Sequence, residues 1–231
     1  MNIGVATHVG LVRSVNEDTI LSVPGQNLFV VADGLGGHPC GDVASRLAVE
    51  TVERQFARGA SLTEAIVEAD LTIAGASLSN PDCAGMGTTI VVFKLMDDEY
   101  QLAWVGDSRI YRVNQGIQRL TSDHGLVQDL LDSGAIDEEE AQNHPYRHII
   151  NRYVGDLNGN DFLVDEHTGK VRPGDAFLLS TDGLHDLVRD DDICQTVQRT
   201  ETAQLAAEAL VQKALDAGGT DNVSIIVVQT D

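Results

Sequence analysis

The sequence predicts an α+β fold in which antiparallel strands and helices occupy separate segments of the chain. Apolar runs of strand length are joined by short turns at Asp97-Asp98, 114–116 and 173–175, as in antiparallel hairpins. Other segments carry apolar residues at helical spacing, and they lie between groups of strands rather than after every strand. This grouping favours α+β over alternating βαβ units. Two packed antiparallel sheets covered by helix pairs would bury these elements, although the pattern leaves the order of the layers open.

The predicted elements follow one another along the whole chain. Strands are expected at 2–7, 27–32, 88–95, 99–106, 109–114, 162–166, 175–180 and 223–229, where Val, Ile, Leu and Phe concentrate. Helices are expected at 42–57, 62–78, 124–133, 137–142, 190–198 and 202–217. The helix at 62–78 has clear boundaries, because Ser61 and Glu64 have the spacing of a capping box and Asn80-Pro81 ends it. No Pro-, Gly- or Ser-rich linker interrupts the chain, so a single domain covering 1–231 is expected.

Composition excludes several classes of partner. The 231 residues include 36 Asp plus Glu against 15 Lys plus Arg, a formal charge of −21. Such acidity would repel nucleic acid and anionic membrane surfaces, so neither is an expected partner. The longest apolar run falls far short of the roughly 20 residues of a membrane helix. Three widely spaced cysteines, Cys40, Cys83 and Cys194, show no metal-binding spacing and indicate reduced thiols and a cytoplasmic location.

Five aspartates lie where an apolar strand meets a turn, namely Asp18, Asp33, Asp107, Asp182 and Asp221. Each one alone would be interpreted as a turn or helix cap. If all five converge, neighbouring carboxylates about 4 Å apart would repel by roughly 4 kcal/mol per pair at an effective dielectric near 20. Only protons or cations could hold such a cluster together. Ligands that are all oxygen select Mg²⁺ or Mn²⁺, and two such ions could activate water and hold a phosphoryl group.

Seven short strings carry a more specific signal. They are GLVRSVNED at 10–18, VVADGLGGH at 30–38, GMGTT at 85–89, VGDSR at 105–109, TSDH at 121–124, STDGL at 180–184 and GTDN at 219–222. Together and in this order they resemble the motifs of the PPM family, the metal-dependent serine/threonine phosphatases of the protein phosphatase 2C type, and especially its compact bacterial members. The resemblance implies a four-layer αββα sandwich, with two antiparallel β-sheets flanked by helix pairs. It also implies a flap insertion near 124–160, where substrate recognition is expected.

The resemblance further implies a role for each matching residue. Asp33 would bridge two metal ions, and Glu17 would hold metal-bound water. Arg13 would bind the phosphate, although an isolated arginine in a loop would by default form a surface ion pair. The family's animal members have a histidine as general acid where this chain has Leu35, so His38 is the candidate. Its alternative role is a loop hydrogen bond, and metal-bound water is the alternative proton donor. The remaining implied metal ligands are Asp18, the Gly34 carbonyl, Asp182 and Asp221, with Asp107 and Asp186 at a looser third site.

These inferences predict a protein serine/threonine phosphatase in signal transduction. It would hydrolyse phosphoserine and phosphothreonine by attack of a hydroxide bridging two Mn²⁺ or Mg²⁺ ions, with a third ion as an open question. Its partners would be phosphorylated proteins, the substrates of a separate serine/threonine kinase, and a monomer is expected. Two alternatives stay open: a catalytically inactive docking module with the same fold, and a metal-dependent hydrolase of small phosphate esters.

Overall fold

A computed structural model describes residues 1–37, 40–142, 144–157 and 162–230 of the chain. The strands in these segments are β1 Asn2–His8, β2 Asp18–Val23, β3 Leu28–Asp33, β4 Ile90–Leu95, β5 Glu99–Val105, β6 Arg109–Val113, β7 Ile117–Arg119, β8 Asp165–Lys170, β9 Ala176–Ser180 and β10 Val223–Gln229. The α-helices are α1 Gly41–Phe56, α2 Leu62–Ser79, α3 Leu126–Asp132, α4 Glu138–Gln142, α5 Asp182–His185, α6 Asp190–Arg199 and α7 Ala203–Asp216.

The strands form two antiparallel sheets that pack face to face. Sheet 1 has the order β1-β10-β9-β6-β7, and sheet 2 has the order β2-β3-β4-β5-β8. Helices α1 and α2 cover the outer face of sheet 2, while α5, α6 and α7 cover the outer face of sheet 1. The predicted α+β sandwich with helices on both outer faces is therefore confirmed.

Strand β3 shows why its sequence is apolar almost throughout. Its side chains alternate between the two faces of sheet 2, so Phe29 and Val31 enter the core between the sheets, whereas Leu28 and Val30 face the helices. A strand buried on both faces needs no polar positions. In the core between the sheets, Phe93 and Phe177 pack across the interface with tilted rings whose centroids are 4.6 Å apart.

Three strands differ from the sequence prediction, and all three lie at sheet edges. Strands β2 and β7 were not predicted, and β8 lies at Asp165–Lys170 rather than 162–166. An edge strand pairs on one side only and is less buried, so it carries fewer apolar residues. In β8 the sequence DEHTGK has no alternation of apolar and polar residues, and its side chains are exposed or half-buried. Hydrophobic periodicity consequently could not locate these strands.

Helix α2 confirms the predicted capping box. The Ser61 hydroxyl accepts a hydrogen bond from the Glu64 N–H at 3.2 Å, and Glu64 Oε2 accepts one from the Ser61 N–H at 2.8 Å. At 18 residues α2 is the longest of the described helices. None of the helices in the described segments has the length and apolar character needed to span a membrane.

Two of the three cysteines form a disulfide, which corrects the prediction of free thiols. Cys40 immediately precedes α1, Cys83 follows α2, and their Cα atoms are 5.3 Å apart. Because the short connection at 57–61 turns α2 back along α1, the start of the first helix comes beside the end of the second. The 43-residue separation conceals this proximity in the sequence. Cys194 in α6 remains a free thiol.

Breaking the disulfide should destabilise the fold. A cross-link between residues 43 positions apart lowers the conformational entropy of the unfolded chain. This loss raises the free energy of unfolding by about 4 kcal/mol. We expect the Cys40→Ser, Cys83→Ser double variant to lose up to about that much free energy of unfolding in a urea titration. The control Cys194→Ser should change it by less than about 1 kcal/mol. Equal unfolding midpoints for the double variant and the wild-type protein would contradict a structural disulfide.

Candidate metal centre

Antiparallel pairing gathers acidic residues of both sheets at one end of the sandwich. Asp33 ends β3, Asp18 begins β2, and the register places these two residues directly opposite each other. Asp182 follows β9 and Asp221 precedes β10, the antiparallel neighbour of β9 in sheet 1. Asp107 lies in the turn that carries the chain from β5 in sheet 2 to β6 in sheet 1. The five aspartates predicted from strand ends are thus brought together.

The cross-strand pair of Asp18 and Asp33 is half-buried, with Asp18 Oδ1 shielded from solvent. Asp18 Oδ2 accepts a hydrogen bond from the Thr181 hydroxyl at 3.0 Å, whereas Asp18 Oδ1 has no hydrogen-bond partner among the described residues. Burial raises the pKa of Asp18 to about 7. Burial, reinforced by the charge of Asp18, raises the pKa of Asp33 well above its usual range. Two carboxylates in this position require a proton or a cation to neutralise them.

Asp107 and Asp182 extend the same accumulation of negative charge. Burial is the main cause that raises the pKa of Asp107 to about 7, and the charge of Asp123 adds to it. The pKa of Asp182 is raised well above its usual range by burial and then by the charges of Asp107 and Asp186. Each carboxyl thus makes its neighbours harder to ionise, as expected for a shared cation site.

Arg13 forms an ion pair with one of the predicted ligands. Its Nη2 lies 2.7 Å from Asp221 Oδ2, and this hydrogen bond raises the pKa of the guanidinium. The Arg13 side chain is 40% exposed, so the group also faces solvent. An added Cβ at Gly36 would lie 3.2 Å from both terminal nitrogens of Arg13. The guanidinium therefore lies between Asp221 and the glycine-rich loop that follows Asp33.

The loop that carries Glu17 is held by a buried asparagine. Asn222 Oδ1 accepts a hydrogen bond from the Glu17 N–H at 2.8 Å, and Asn222 Nδ2 donates to the carbonyls of Val9 at 2.9 Å and Val15 at 3.0 Å. Asn222 is buried, and these bonds join both ends of the 9–17 loop to the start of β10. Asn222 belongs to the GTDN string at 219–222, from which no role for it could be predicted.

Gly34 lies where no side chain would fit. A Cβ at this position would come within 2.3 Å of the Gly41 carbonyl oxygen and 2.8 Å of the Glu17 carbonyl oxygen. The Gly34 N–H donates to that Glu17 carbonyl at 3.2 Å. The Asp33 carbonyl accepts hydrogen bonds from the Thr88 hydroxyl and the Thr89 N–H, both at 2.8 Å. The chain on either side of the Asp33 side chain is therefore fixed by backbone contacts.

Asp186 lies next to this cluster, whereas one predicted catalytic residue cannot be placed. The Asp186 N–H donates to the Asp182 carbonyl at 2.9 Å, which puts the two residues one helical turn apart. His148, which sequence analysis did not assign, places Nδ1 2.8 Å from Asp186 Oδ2. Nothing in the surrounding string HPYRHII signalled such a contact. His38, the predicted general acid, lies outside the described residues.

Two further polar residues have supporting contacts. Arg109 pairs with Asp123 at 2.6 Å, as expected for an internal ion pair. His124 is buried, and its Nδ1 accepts a hydrogen bond from the Gly106 N–H at 3.0 Å. Because Gly106 precedes Asp107, this bond helps to fix the turn that presents the Asp107 carboxylate.

The residues present fit a site for hard divalent cations. The converging donors are carboxylate oxygens, and one of them, Asp18 Oδ1, is buried without a hydrogen-bond donor among the described residues. An ionised carboxylate in such surroundings is costly unless a cation compensates its charge. Oxygen-only donors are those that Mg²⁺ and Mn²⁺ prefer.

Comparison with known proteins gives concordant matches. A family model described as protein phosphatase 2C matches residues 12–217. The serine/threonine protein phosphatase PstP of Mycobacterium tuberculosis is 37% identical over 225 residues, covering 94% of this chain and 43% of that protein. The serine/threonine phosphatase stp of Listeria monocytogenes is 34% identical over 239 residues, covering 97% of this chain and 94% of that protein. The chain thus spans less than half the length of the first relative and nearly all of the second.

The fold is likewise shared with solved structures. The catalytic domain of serine threonine protein phosphatase PstP, in complex with two manganese ions, matches with a TM-score of 0.87 at 31% sequence identity. That match covers 99% of this chain and 98% of the solved chain. The four-layer arrangement expected from the sequence motifs is therefore common to this chain and the solved PstP domain.

The buried carboxylates should make the metal-free protein less stable as pH rises. A carboxyl group whose pKa is raised in the folded state stabilises the fold at pH values below its unfolded pKa, which is near 4. This contribution is lost as pH rises through about 7, the folded-state pKa of Asp18 and Asp107. We expect the free energy of unfolding in chelator to fall between pH 4 and 8. Asp33→Asn should reduce this fall and be more stable than wild type at pH 8 by roughly 1–3 kcal/mol.

The matched control is Asp98→Asn, which alters a carboxylate that is 80% exposed. It should behave like wild type across this pH range, in urea titrations with and without Mn²⁺. Added Mn²⁺ should stabilise the wild-type and Asp98→Asn proteins much more than Asp33→Asn. A metal-free wild-type protein that gains stability between pH 5 and 8 would contradict the proposed strain among these carboxylates.

Proposed function

The chain belongs to the protein phosphatase 2C family, and from this membership we propose that it hydrolyses phosphoserine and phosphothreonine in proteins with the help of two divalent metal ions. The observation that carries the proposal is the convergence of five half-buried strand-end aspartates beside Arg13. The named relatives are serine/threonine phosphatases, which supports a protein substrate over a small phosphate ester. An inactive docking module would have no need for a cluster of carboxylates that destabilises it without metal.

The proposed metals are Mn²⁺ or Mg²⁺. In this assignment Asp33 would be a ligand of both ions and Glu17 would hold metal-bound water. When bound, the ions supply a water nucleophile that is active at neutral pH and neutralise charge on the phosphoryl oxygens. Two manganese ions in the related PstP structure support this number of ions. The other proposed ligands are Asp18, the Gly34 carbonyl, Asp182 and Asp221, with Asp107 and Asp186 at a third position.

Arg13 is the proposed phosphate-binding residue. Its planar guanidinium can donate two parallel hydrogen bonds to phosphoryl oxygens, which aligns the phosphorus for in-line attack. Half-exposure lets the group reach a substrate from solvent, and its contact with Asp221 holds it at the edge of the carboxylate cluster. The two interpretations from sequence, an ion pair and a phosphate ligand, are therefore compatible in one residue.

Protonation of the leaving serine or threonine oxygen needs a separate donor. Leu35, whose N–H donates to the Gly87 carbonyl at 3.0 Å, has no side-chain proton to give. We propose His38 for this role, since it is three residues further along the same loop and an imidazole transfers protons near neutral pH.

The proposed cellular setting follows from the same reaction. The substrates would be proteins phosphorylated by a separate serine/threonine kinase, and the enzyme would act as a monomer in the cytoplasm. In the cytoplasm we expect the Cys40–Cys83 pair to be held largely reduced, because disulfides persist mainly in oxidising compartments. Trapping the thiols of living cells with an alkylating agent tests the location, and a fully oxidised pair would contradict the cytoplasmic proposal.

Phosphatase activity should depend on added metal. With Mn²⁺ we expect phosphate release from a phosphothreonine peptide, little release from a phosphodiester, and none after chelation. Asp33→Ala should lower kcat by at least about 10³-fold, because it removes the ligand assigned to both ions. Asp98→Ala, with its exposed carboxylate, should retain wild-type kcat and KM.

Turnover that survives chelation, or near-normal activity in Asp33→Ala, would overturn the metal-dependent proposal. Faster cleavage of the diester than of the phosphopeptide would favour the small-ester alternative. Absence of turnover with every metal, while Mn²⁺ still stabilises the fold, would favour the docking module.

A further inference from the structure

The loop that joins β3 to α1 is attached to the segment at 83–89 near both of its ends. At its start, the Leu35 N–H donates a hydrogen bond to the Gly87 carbonyl at 3.0 Å. At its far end, the disulfide joins Cys40 to Cys83. Two of the four intervening residues are glycine, so this stretch of chain has a large conformational entropy when it is not restrained. The disulfide therefore restrains the end of the loop that leads into α1.

The residue after Cys40 contacts two residues of the candidate metal centre. The Gly41 N–H donates a hydrogen bond to the Glu17 carboxylate, and a Cβ on Gly41 would lie 2.7 Å from Glu17 Oε1. Gly41 also lies against Gly34, because a Cβ on Gly34 would come within 2.3 Å of the Gly41 carbonyl oxygen. In the proposed assignment Glu17 would hold metal-bound water and the Gly34 carbonyl would be a ligand. A displacement of Cys40 therefore reaches the metal centre through its immediate neighbour.

The two sulfurs differ in their access to solvent, which favours exchange with a small thiol. Cys40 is half-buried, whereas Cys83 is 6% exposed. An attacking thiolate would therefore reach the Cys40 sulfur, and the Cys83 sulfur would leave as a thiolate. The Asn80 side-chain amide donates a hydrogen bond to the Cys83 sulfur at 3.3 Å, which stabilises that leaving group. The bond can consequently be opened from the protein surface.

We propose that Cys40 and Cys83 form a reversible redox site that regulates the metal centre, and that the disulfide form binds Mn²⁺ more tightly than the dithiol form. The exchange partners are a small thiol and its disulfide, such as glutathione and glutathione disulfide. On reduction, two glutathione molecules give two electrons and two protons to the protein, which becomes a dithiol, and they leave as one glutathione disulfide. The inference rests on the proposed metal-dependent function, since it concerns the affinity of that same centre.

The predicted direction follows from conformational entropy. In the disulfide form, Gly41 is held against Glu17 and Gly34 before an ion binds. In the dithiol form the loop has more freedom, and an ion must order it on binding, which weakens the affinity. In a reducing cytoplasm the pair would be mainly a dithiol. Oxidation would then raise the affinity for metal and, with it, the phosphatase activity.

Isothermal titration of the metal-free protein with Mn²⁺ tests the proposal without a measurement of activity. We expect the disulfide form to bind Mn²⁺ about tenfold more tightly than the dithiol form, as is typical when the support of a metal ligand changes. Incubation with reduced glutathione, removed by desalting before the titration, should weaken binding, and glutathione disulfide should restore it. Circular dichroism should show that the dithiol form keeps the folded spectrum of the disulfide form.

Two variants separate this pair from the remaining cysteine. The Cys40→Ser, Cys83→Ser double variant should bind Mn²⁺ with the affinity of the dithiol form and should not respond to glutathione. Cys194→Ser is the matched control, because it removes the free thiol of α6 and keeps the pair, so it should respond as the wild-type protein does.

Three results would overturn the inference: equal Mn²⁺ affinity of the two forms, loss of the folded spectrum on reduction, or a glutathione response in the double variant. Mn²⁺ binding and metal-dependent turnover that ignore the redox state would reject the redox site and leave the proposed function standing. Failure of both forms to bind Mn²⁺ would reject both proposals.

Discussion

The electrostatic cost of burying several carboxylates together governs the design of this protein. Asp18 and Asp33 are a direct cross-strand pair, and Asp107, Asp182 and Asp221 come from other strand ends. No arrangement of this kind is stable with all of its charges uncompensated, because burial and mutual repulsion both favour the neutral acid. The raised pKa values of Asp18 and Asp33 express that constraint. Divalent cations relieve it, so the feature that weakens the fold also creates an affinity for the ions that phosphoryl transfer uses.

The rest of the fold holds these carboxylates close together against their mutual repulsion. Two sheets buried on both faces provide rigid strand ends, and backbone hydrogen bonds then fix the segments between them. Asn222 joins both ends of the loop that carries Arg13 and Glu17 to β10. Gly34 allows that loop to approach the start of α1. The Cys40–Cys83 disulfide joins the start of α1 to the end of α2. Rigid support of this kind keeps ligands in place while no ion compensates their charge.

Much of this arrangement could be predicted from the sequence, because the ends of buried strands have a recognisable residue pattern. An apolar run followed by Asp and Gly marks both the strand and the edge where its carboxylate emerges, as at Asp33. The buried strands could be found for the same reason, whereas the edge strands β2, β7 and β8 could not, since their short or partly polar sequences lack a clear apolar pattern. Contacts between distant segments were also beyond reach. The pairing of Cys40 with Cys83 and the approach of His148 to Asp186 depend on how helices and the insertion pack, which no local pattern encodes.

The relatives and the geometry of the carboxylates indicate the same kind of site. The relatives indicate a phosphatase fold, and the geometry explains why that fold needs cations at the edge where the two sheets meet. Anomalous diffraction from crystals soaked in Mn²⁺ tests this central claim most directly. The account predicts two manganese peaks on either side of the Asp33 carboxylate, each about 2.0–2.4 Å from one of its oxygens. Manganese bound only at surface carboxylates, with no peak at Asp33, would contradict it.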